Sequence, residues 1–310
     1  MASGKRGRTT AQDGTEGPGC LSVDHVFAEL RPAMFALAYR ITGNRADAED
    51  IVQDAFVRLH DSSPKEAVRS LRAYLATITA RLSLNRLRDR RARRESYVGE
   101  WLPEPLLTEG EPGVRAEDVS FALLVVLERL SPLERVVFLL HNAFDLSFDE
   151  IAPAVRRDAV ACRKIFSRAR ARVLEERPRF TVDRERHRAL LRSFADAARG
   201  GDTARLVSLL DDNVVLHGDG GGKALALKKP VVGSVAVAQF VTAVTRTLPA
   251  DAGADIIELN GAPGLVLTAD GRPVVAILVE SDGERIHSVF GVSNPDKLDA
   301  IAKARPRSLA

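Results

Sequence analysis

Two capping signals constrain this chain more than any other feature. Ser131-Pro132-Leu133-Glu134 sets a serine N-cap, a proline at the first helical position and a glutamate at the third, and Ser147-Phe148-Asp149-Glu150 repeats the Ser-x-x-Glu pattern. In each, the serine hydroxyl can accept from the third helical N–H while the glutamate reaches back to the cap, so donors orphaned at the helix start are satisfied reciprocally. Asp158 can cap a third helix carrying Ala161, Cys162, Ile165, Ala169 and Val173. Caps this close leave room for short helices and tight turns only, which predicts a helix-turn-helix unit over residues 119–178.

Helical periodicity also governs the preceding segment. Val26, Phe27, Leu30, Met34, Phe35, Ala38 and Ile41 recur at spacings of three and four, predicting an amphipathic helix over 23–42. Thr42-Gly43-Asn44 breaks it, and Asn44 can cap a second helix that buries Ala48, Ile51, Val52, Ala55, Phe56 and Leu59. The other face of that helix carries Asp47, Glu49, Asp50, Gln53 and Asp54. A third helix is expected from about Ala67 to Arg93, with Leu71, Tyr74, Leu75, Ile78 and Leu82 as its core stripe. Residues 96–118 hold Pro103, Pro105, Pro112, Gly110 and Gly113, show little periodicity and read as a linker.

Charge follows the same divisions. The whole chain is only +3, but Arg81 to Arg94 holds seven Arg against one Asp, and Arg156 to Arg172 six Arg and one Lys against one Asp. Between them, Glu95 to Asp118 carries seven acids and one Arg. From Thr181 to the end, 16 bases balance 16 acids. Two basic blocks around an acidic connector point to a polyanionic partner for the first half of the chain.

After Pro178 the character changes. Helices are expected at about Asp183–Arg199, Thr203–Leu210 and Ser234–Leu248, and strands at Asn213–His217, Asp255–Leu259, Gly264–Thr268, Arg272–Val279 and Glu284–Val292. Asp270-Gly271 and Asp282-Gly283 read as hairpin turns. The fold class is therefore multidomain: two all-α domains, then an α+β domain with helices on a curved antiparallel sheet.

Several classes are excluded. No run of about 18 apolar residues is present, so no membrane span or membrane partner is expected. Residues 1–22 have basic residues without an apolar core and read as a flexible tail. Cys20 and Cys162 have no metal-ligand spacing, which fits a reducing cytoplasm and implies no metal or cofactor. Asp219-Gly220-Gly221-Gly222-Lys223 is one residue short of a phosphate loop, and Ala224 replaces its Ser or Thr, so a glycine-rich turn is the better reading.

These motifs resemble those of the extracytoplasmic-function sigma factors, the smallest sigma-70 relatives. Ala46 to Leu59 looks like their core-binding helix of region 2, and Leu71 to Arg94 like their promoter −10 helix. Leu130 to Leu140 together with Phe148 to Ala152 looks like region 4. Tyr97 to Pro105, Asp219 to Lys223 and Asn294 to Leu298 are similar to the SigJ-like subgroup, whose members carry a SnoaL-like (NTF2-like) domain after region 4. Two positions depart from the pattern. Arg156 stands where a helix-turn-helix turn commonly has Gly, and Glu100 where the linker motif is expected to have Pro.

The resemblance implies a divided chain: 1–22 a tail, 23–95 region 2, 96–118 an acidic linker, 119–178 region 4 and 179–310 a regulatory domain. Core RNA polymerase and promoter DNA are the implied partners. Asp47, Glu49, Asp50, Gln53 and Asp54 would dock on the clamp helices of the polymerase, complementary charge speeding association and fixing register. Arg81, Asn85, Arg86, Arg88, Arg90 and Arg91 would hold the −10 element, a flipped base entering a pocket near the loop 60–69. Arg156, Arg157, Arg163, Lys164 and Arg168 would meet the −35 major groove, where arginine reads guanine bidentately. The linker would cross the active-site cleft, or dock Trp101 on the C-terminal domain. Trp101, Asp219, Gly220, Gly221, Gly222, Lys223, Asn294, Pro295 and Asp296 are the expected regulatory contacts. A fused regulator makes a separate anti-sigma factor unnecessary. The chain is expected not to be an enzyme. The competing readings are a small-ligand sensor, a cyclase- or isomerase-like domain built on His217, Asp219 or His287, and a repressor that works without polymerase.

Overall fold

A computed structural model describes residues 23–62, 70–95, 97–108, 119–176, 182–224, 227, 229–249 and 251–304, with the side chains of 23–26, 62 and 91–95 excepted. The expected tail, the loop at 63–69 and the side chain of Arg91 therefore lie outside the described residues.

Three helices open the fold: α1 (Val23–Thr42), α2 (Arg45–Ser62) and α3 (Leu71–Glu95). Asn44 caps α2, its Oδ1 accepting from the Asp47 N–H at 2.9 Å. Four more helices follow: α4 (Phe121–Glu128), α5 (Pro132–Phe144), α6 (Phe148–Val155) and α7 (Ala159–Glu176). Both capping boxes form, at Ser131 with Glu134 and at Ser147 with Glu150. Asp158 Oδ1 accepts from the Ala161 N–H at 2.6 Å and starts α7. Arg156 ends α6 in the left-handed region at φ 55°, so the turn keeps its geometry with a side chain where glycine is the usual residue.

The two helical units share one core. Met34, Leu37 and Ile41 of α1, Leu75 and Leu82 of α3, Val136 and Leu140 of α5 and Ile151 of α6 belong to a single buried cluster. Arg135 of α5 is buried across this junction. Its guanidinium meets Glu128 through two hydrogen bonds, at 2.9 and 3.0 Å, and donates to the Ile41 carbonyl at the end of α1 at 2.6 Å. One fork thus ties α4, α5 and the last turn of α1.

The C-terminal half comprises α8 (Arg184–Gly200), α9 (Thr203–Leu209), β1 (Leu210–Asp219), β2 (Val231–Val232), α10 (Ser234–Thr245), β3 (Gly253–Leu259), β4 (Ala262–Ala269), β5 (Arg272–Ser281), β6 (Ile286–Val292) and α11 (Pro295–Ala304). The strands form one sheet in the order β2-β1-β6-β5-β4-β3. The expectation of an antiparallel sheet needs correction: β1 pairs with β6 in parallel, so the sheet is mixed. Asp270-Gly271 forms the turn from β4 to β5, both residues at positive φ. Asn260-Gly261 does the same from β3 to β4, a hairpin signal of the strongest kind that the sequence reading passed over.

Strand alternation gives the sheet two apolar faces. On one, Leu216 of β1 and Val289 of β6 pack with Leu190 and Phe194 of α8 and Val237 of α10. On the other, Phe290, Leu278 and Val266 pack with Leu298 and Ile301 of α11, Phe121 and Val125 of α4, and Leu102. The second face is thus covered by the linker and by a helix of the preceding unit. The C-terminal half is built onto the helical half through its sheet.

Candidate functional site

The segment 97–108 lies between the two halves and bonds to both. Leu102 and Leu106 are buried, at 1% and 0% exposure, and side chains buried this far contribute about 1.5–3 kcal/mol each. Asp219, at the end of β1, is fully buried. Its Oδ1 accepts from the Tyr97 hydroxyl at 2.5 Å and the Gly221 N–H at 3.1 Å, and its Oδ2 from the Leu102 N–H at 2.9 Å and the Lys297 ammonium at 2.6 Å. Lys297, on α11 and 4% exposed, also donates to the Leu102 carbonyl. Its ammonium stands 3.4 Å from the centre of the Trp101 ring, within cation–π range. Burial lifts the Tyr97 hydroxyl well above its ordinary range, with the neighbouring Asp219 carboxylate adding to the effect. The phenol therefore stays protonated as a donor.

The glycine-rich turn fits around this centre. Gly221 and Gly222 have φ of 59° and 71°. A Cβ on Gly221 would lie 2.3 Å from Asn294 Nδ2, and one on Gly222 3.0 Å from the Val98 side chain. Asn294 donates to the Tyr97 hydroxyl at 2.8 Å and, through its own N–H, to the Asp219 carbonyl at 3.0 Å. Lys223 meets Asp296 at 2.5 Å on the exposed side. Pro295 begins α11 and Gly220 follows β1. Trp101, Asp219, Gly220, Gly221, Gly222, Lys223, Asn294, Pro295 and Asp296, expected as one set, are brought together on and beside the linker.

Other residues of this clasp escaped the sequence reading. Lys297 lies within the segment Asn294 to Leu298, where nothing local marks a lysine as buried. Asn260, 2% exposed, accepts from the Leu106 N–H at 2.9 Å and donates from Nδ2 to the Tyr39 hydroxyl at 2.9 Å and the Val119 carbonyl at 2.8 Å. One amide thereby joins α1, the linker, the approach to α4 and the sheet. Glu104 reaches the other way. Its carboxylate accepts from Asn44 Nδ2 at 2.6 Å and the Arg45 N–H at 3.0 Å, at the start of α2. Glu100, the departure from the family motif, meets His217 Nδ1 at 2.8 Å.

The sites expected for polymerase and DNA are placed unequally. Glu49, Asp50, Gln53 and Asp54 are exposed on α2. Asp47 is not: it is 2% exposed and covered by Arg90 at 2.5 Å and Arg86 at 3.7 Å. Arg86 also reaches Asp50 at 3.2 Å. Two arginines expected on promoter DNA therefore turn onto the acidic face expected on polymerase. Arg81 donates to the Pro153 carbonyl of α6 at 2.7 Å, while Asn85 and Arg88 are exposed. Arg156, Arg157, Arg163, Lys164 and Arg168 are all exposed around the turn and along α7. The buried stripe Cys162, Ile165, Ala169 and Val173 faces the core, and Ala161 is half-buried.

The acid–base residues of the competing enzymatic reading are each engaged elsewhere. Asp219 is saturated with donors inside the clasp, His217 pairs with Glu100, and His287 lies 3.0 Å from Asp282 and 3.7 Å from Asp211. None lines the cavity between α8, α10 and the sheet. Among the described residues no group of three His, Cys, Asp or Glu is placed to hold a metal. No described helix is long and apolar enough to cross a membrane.

A capped helix-turn-helix behind a basic helix and an acidic one defines a transcription initiation factor of the sigma-70 class. The family model for Sigma-70 region 2 matches residues 26–93, and that for Sigma-70, region 4 matches residues 120–173. The ECF RNA polymerase sigma factor SigJ of Mycobacterium tuberculosis is 36% identical over 288 residues, covering 87% of this chain and 91% of the relative. The probable ECF factor SigI of the same species is 35% identical over 59% of this chain and 65% of its own. The crystal structure of M. tuberculosis SigJ superposes with a TM-score of 0.67 at 32% identity, covering 88% of this chain and 97% of that one. The chain belongs to the extracytoplasmic-function RNA polymerase sigma factors. Its function is promoter-directed transcription initiation with core RNA polymerase, and the family is not enzymatic.

Proposed function

We propose that this arrangement is the resting form of the sigma factor, held closed by its own C-terminal domain, and that core polymerase competes for the clasped surfaces. The observation that carries this is the Asp219 carboxylate. It collects donors from the linker, through Tyr97 and Leu102, and from α11, through Lys297. A linker fixed this way cannot extend between two separated DNA-reading units. Regulation by a fused domain requires at least two arrangements with different affinity for the partner.

In the open form, Asp47, Glu49, Asp50, Gln53 and Asp54 meet the polymerase. Arg81, Asn85, Arg86, Arg88, Arg90 and Arg91 serve the −10 element, and Arg156, Arg157, Arg163, Lys164 and Arg168 the −35 element. Release of Arg86 and Arg90 from Asp47 frees both surfaces at once, which couples polymerase binding to DNA binding. The boundaries 23–95, 96–118, 119–178 and 179–310 delimit the working parts. No separate anti-sigma factor is required, and the factor acts in the cytoplasm with its polymerase.

The test compares the full chain with Tyr97→Phe, which deletes the hydroxyl's hydrogen bond to the buried Asp219 carboxylate and the one it accepts from Asn294, and leaves the apolar contacts. A hydrogen bond to a charged group is worth about 1.5–3 kcal/mol, so core-polymerase affinity should rise by at least about tenfold. Transcription at limiting factor, on promoters selected from a random library, should rise with it. Equal affinity for both chains would overturn the proposal.

A further inference from the structure

The helices of the C-terminal domain do not close fully on the sheet. Between α8, α10 and the strands lies a cavity of about 280 Å³, close to the lower end of ordinary ligand pockets. Its wall is largely apolar, with Phe194, Phe240, Val244, Leu265, Ile277 and Val289 among the lining side chains. No Asp, Glu, His or Cys is among the described residues lining it. Thr245 supplies a hydroxyl, and Arg199, in the last turn of α8, the one charge. Arg199 is exposed, and among the described residues no carboxylate pairs with it.

These features specify an occupant. A buried water needs two to four polar partners, which a wall of this kind offers at one end only. Left empty, the lining side chains lose their dispersion contacts. The occupant is therefore apolar over most of its length and polar at one end. The carbonyls of Ala197 and Ala198 at the end of α8, and of Thr242, Val244 and Thr245 at the end of α10, already accept from N–H groups of the following turns. They leave the guanidinium as the group that selects the polar end, and a guanidinium pairs best with a carboxylate.

We infer that this cavity binds a small anionic amphiphile, with an acyl or ring body inside and a carboxylate at Arg199. The site shares strands with the clasp. Leu216 and Val289 line the cavity, while their neighbours His217 and Phe290 stack on each other on the opposite face, at 5.3 Å, beside Glu100 and Phe121. Occupancy bears on β1 and β6, and through them on the linker. That consequence rests on the regulatory reading above; the binding does not.

The test is calorimetric titration of the full chain, without polymerase, using decanoate and decanol as probes. Decanoate should bind saturably at one site and at least about tenfold more tightly than decanol. Arg199→Gln, at an exposed position, should weaken decanoate about tenfold and leave decanol and the melting temperature unchanged. Ala198→Phe, which fills the cavity, should abolish both. Absence of saturable decanoate binding, equal affinity for the two probes, or unaltered decanoate binding in Arg199→Gln would each overturn the inference. Because polymerase is absent, its failure is distinguishable from that of the closed-form proposal, which Tyr97→Phe tests.

Discussion

Glu104 makes the clasp sensitive to pH. Burial lifts its carboxyl from the usual 4.5 to about 6, against the opposing pull of the Arg45 N–H and the Lys297 and Arg45 charges. Released with the linker, it returns to its ordinary value. The docked state therefore binds its proton more tightly than the released one. Docking is strongest below about 4.5 and weakens as pH rises through about 6, a difference of about 2 kcal/mol. Hydrogen-exchange protection of residues 97–108 should be greater at pH 5 than at pH 7.5, and Glu104→Gln should remove that difference. An undiminished pH dependence in the variant would show that another group carries it. Lys297 and Asp219 make a second residue-level prediction. Removing one member of a buried ion pair strands the other, at a cost of about 3–5 kcal/mol. Lys297→Met should lower stability in urea by that order, whereas Lys297→Met with Asp219→Asn should cost clearly less. A double-variant loss equal to the sum of the Lys297→Met and Asp219→Asn losses would mean that the pair is not coupled.

At the scale of elements, the caps were legible and the strand directions were not. Ser131, Ser147 and Asp158 announce their helices because each cap is a local bond between residues three apart. The hairpins from β3 to β5 follow from the same kind of local signal, Asn260-Gly261 and Asp270-Gly271. The parallel pairing of β1 with β6 spans some seventy residues. Alternation of apolar residues records which face a side chain takes, not the direction of its neighbour, so that pairing left no mark in the sequence. Arg156 offers a prediction here. A left-handed residue with a Cβ costs about 1–2 kcal/mol, part of which glycine recovers. Arg156→Gly should raise thermal stability by about 0.5–1 kcal/mol while weakening binding to −35 duplex DNA and reducing its salt dependence by about one phosphate contact. A variant that is both less stable and unchanged in DNA binding would contradict both the strain and the contact.

For the whole molecule, the parts could be read from the sequence but their assembly could not. Charge order separated an acidic helix, a basic helix, a linker and a second basic helix. It did not reveal that Arg86 and Arg90 lie over Asp47, or that Arg135 joins α5 to the end of α1. Such contacts join residues distant in sequence and obey no period, so only the fold displays them. They also set what must change on binding polymerase. If the chain opens, α2 and α7 move apart, and a pair of labels will report it. Asp61 and Leu174 are exposed. Cysteines placed at both, with Cys20 replaced and Cys162 left buried in the core, carry a donor and an acceptor dye. Energy transfer should be high in the free chain and fall when core polymerase is added, and Tyr97→Phe should reach the same fall at about one tenth of the polymerase concentration, as expected for about 1.4 kcal/mol of clasp energy. Transfer unchanged by saturating polymerase would show that the two helical units ride as one body in the working enzyme complex, and would contradict the opening.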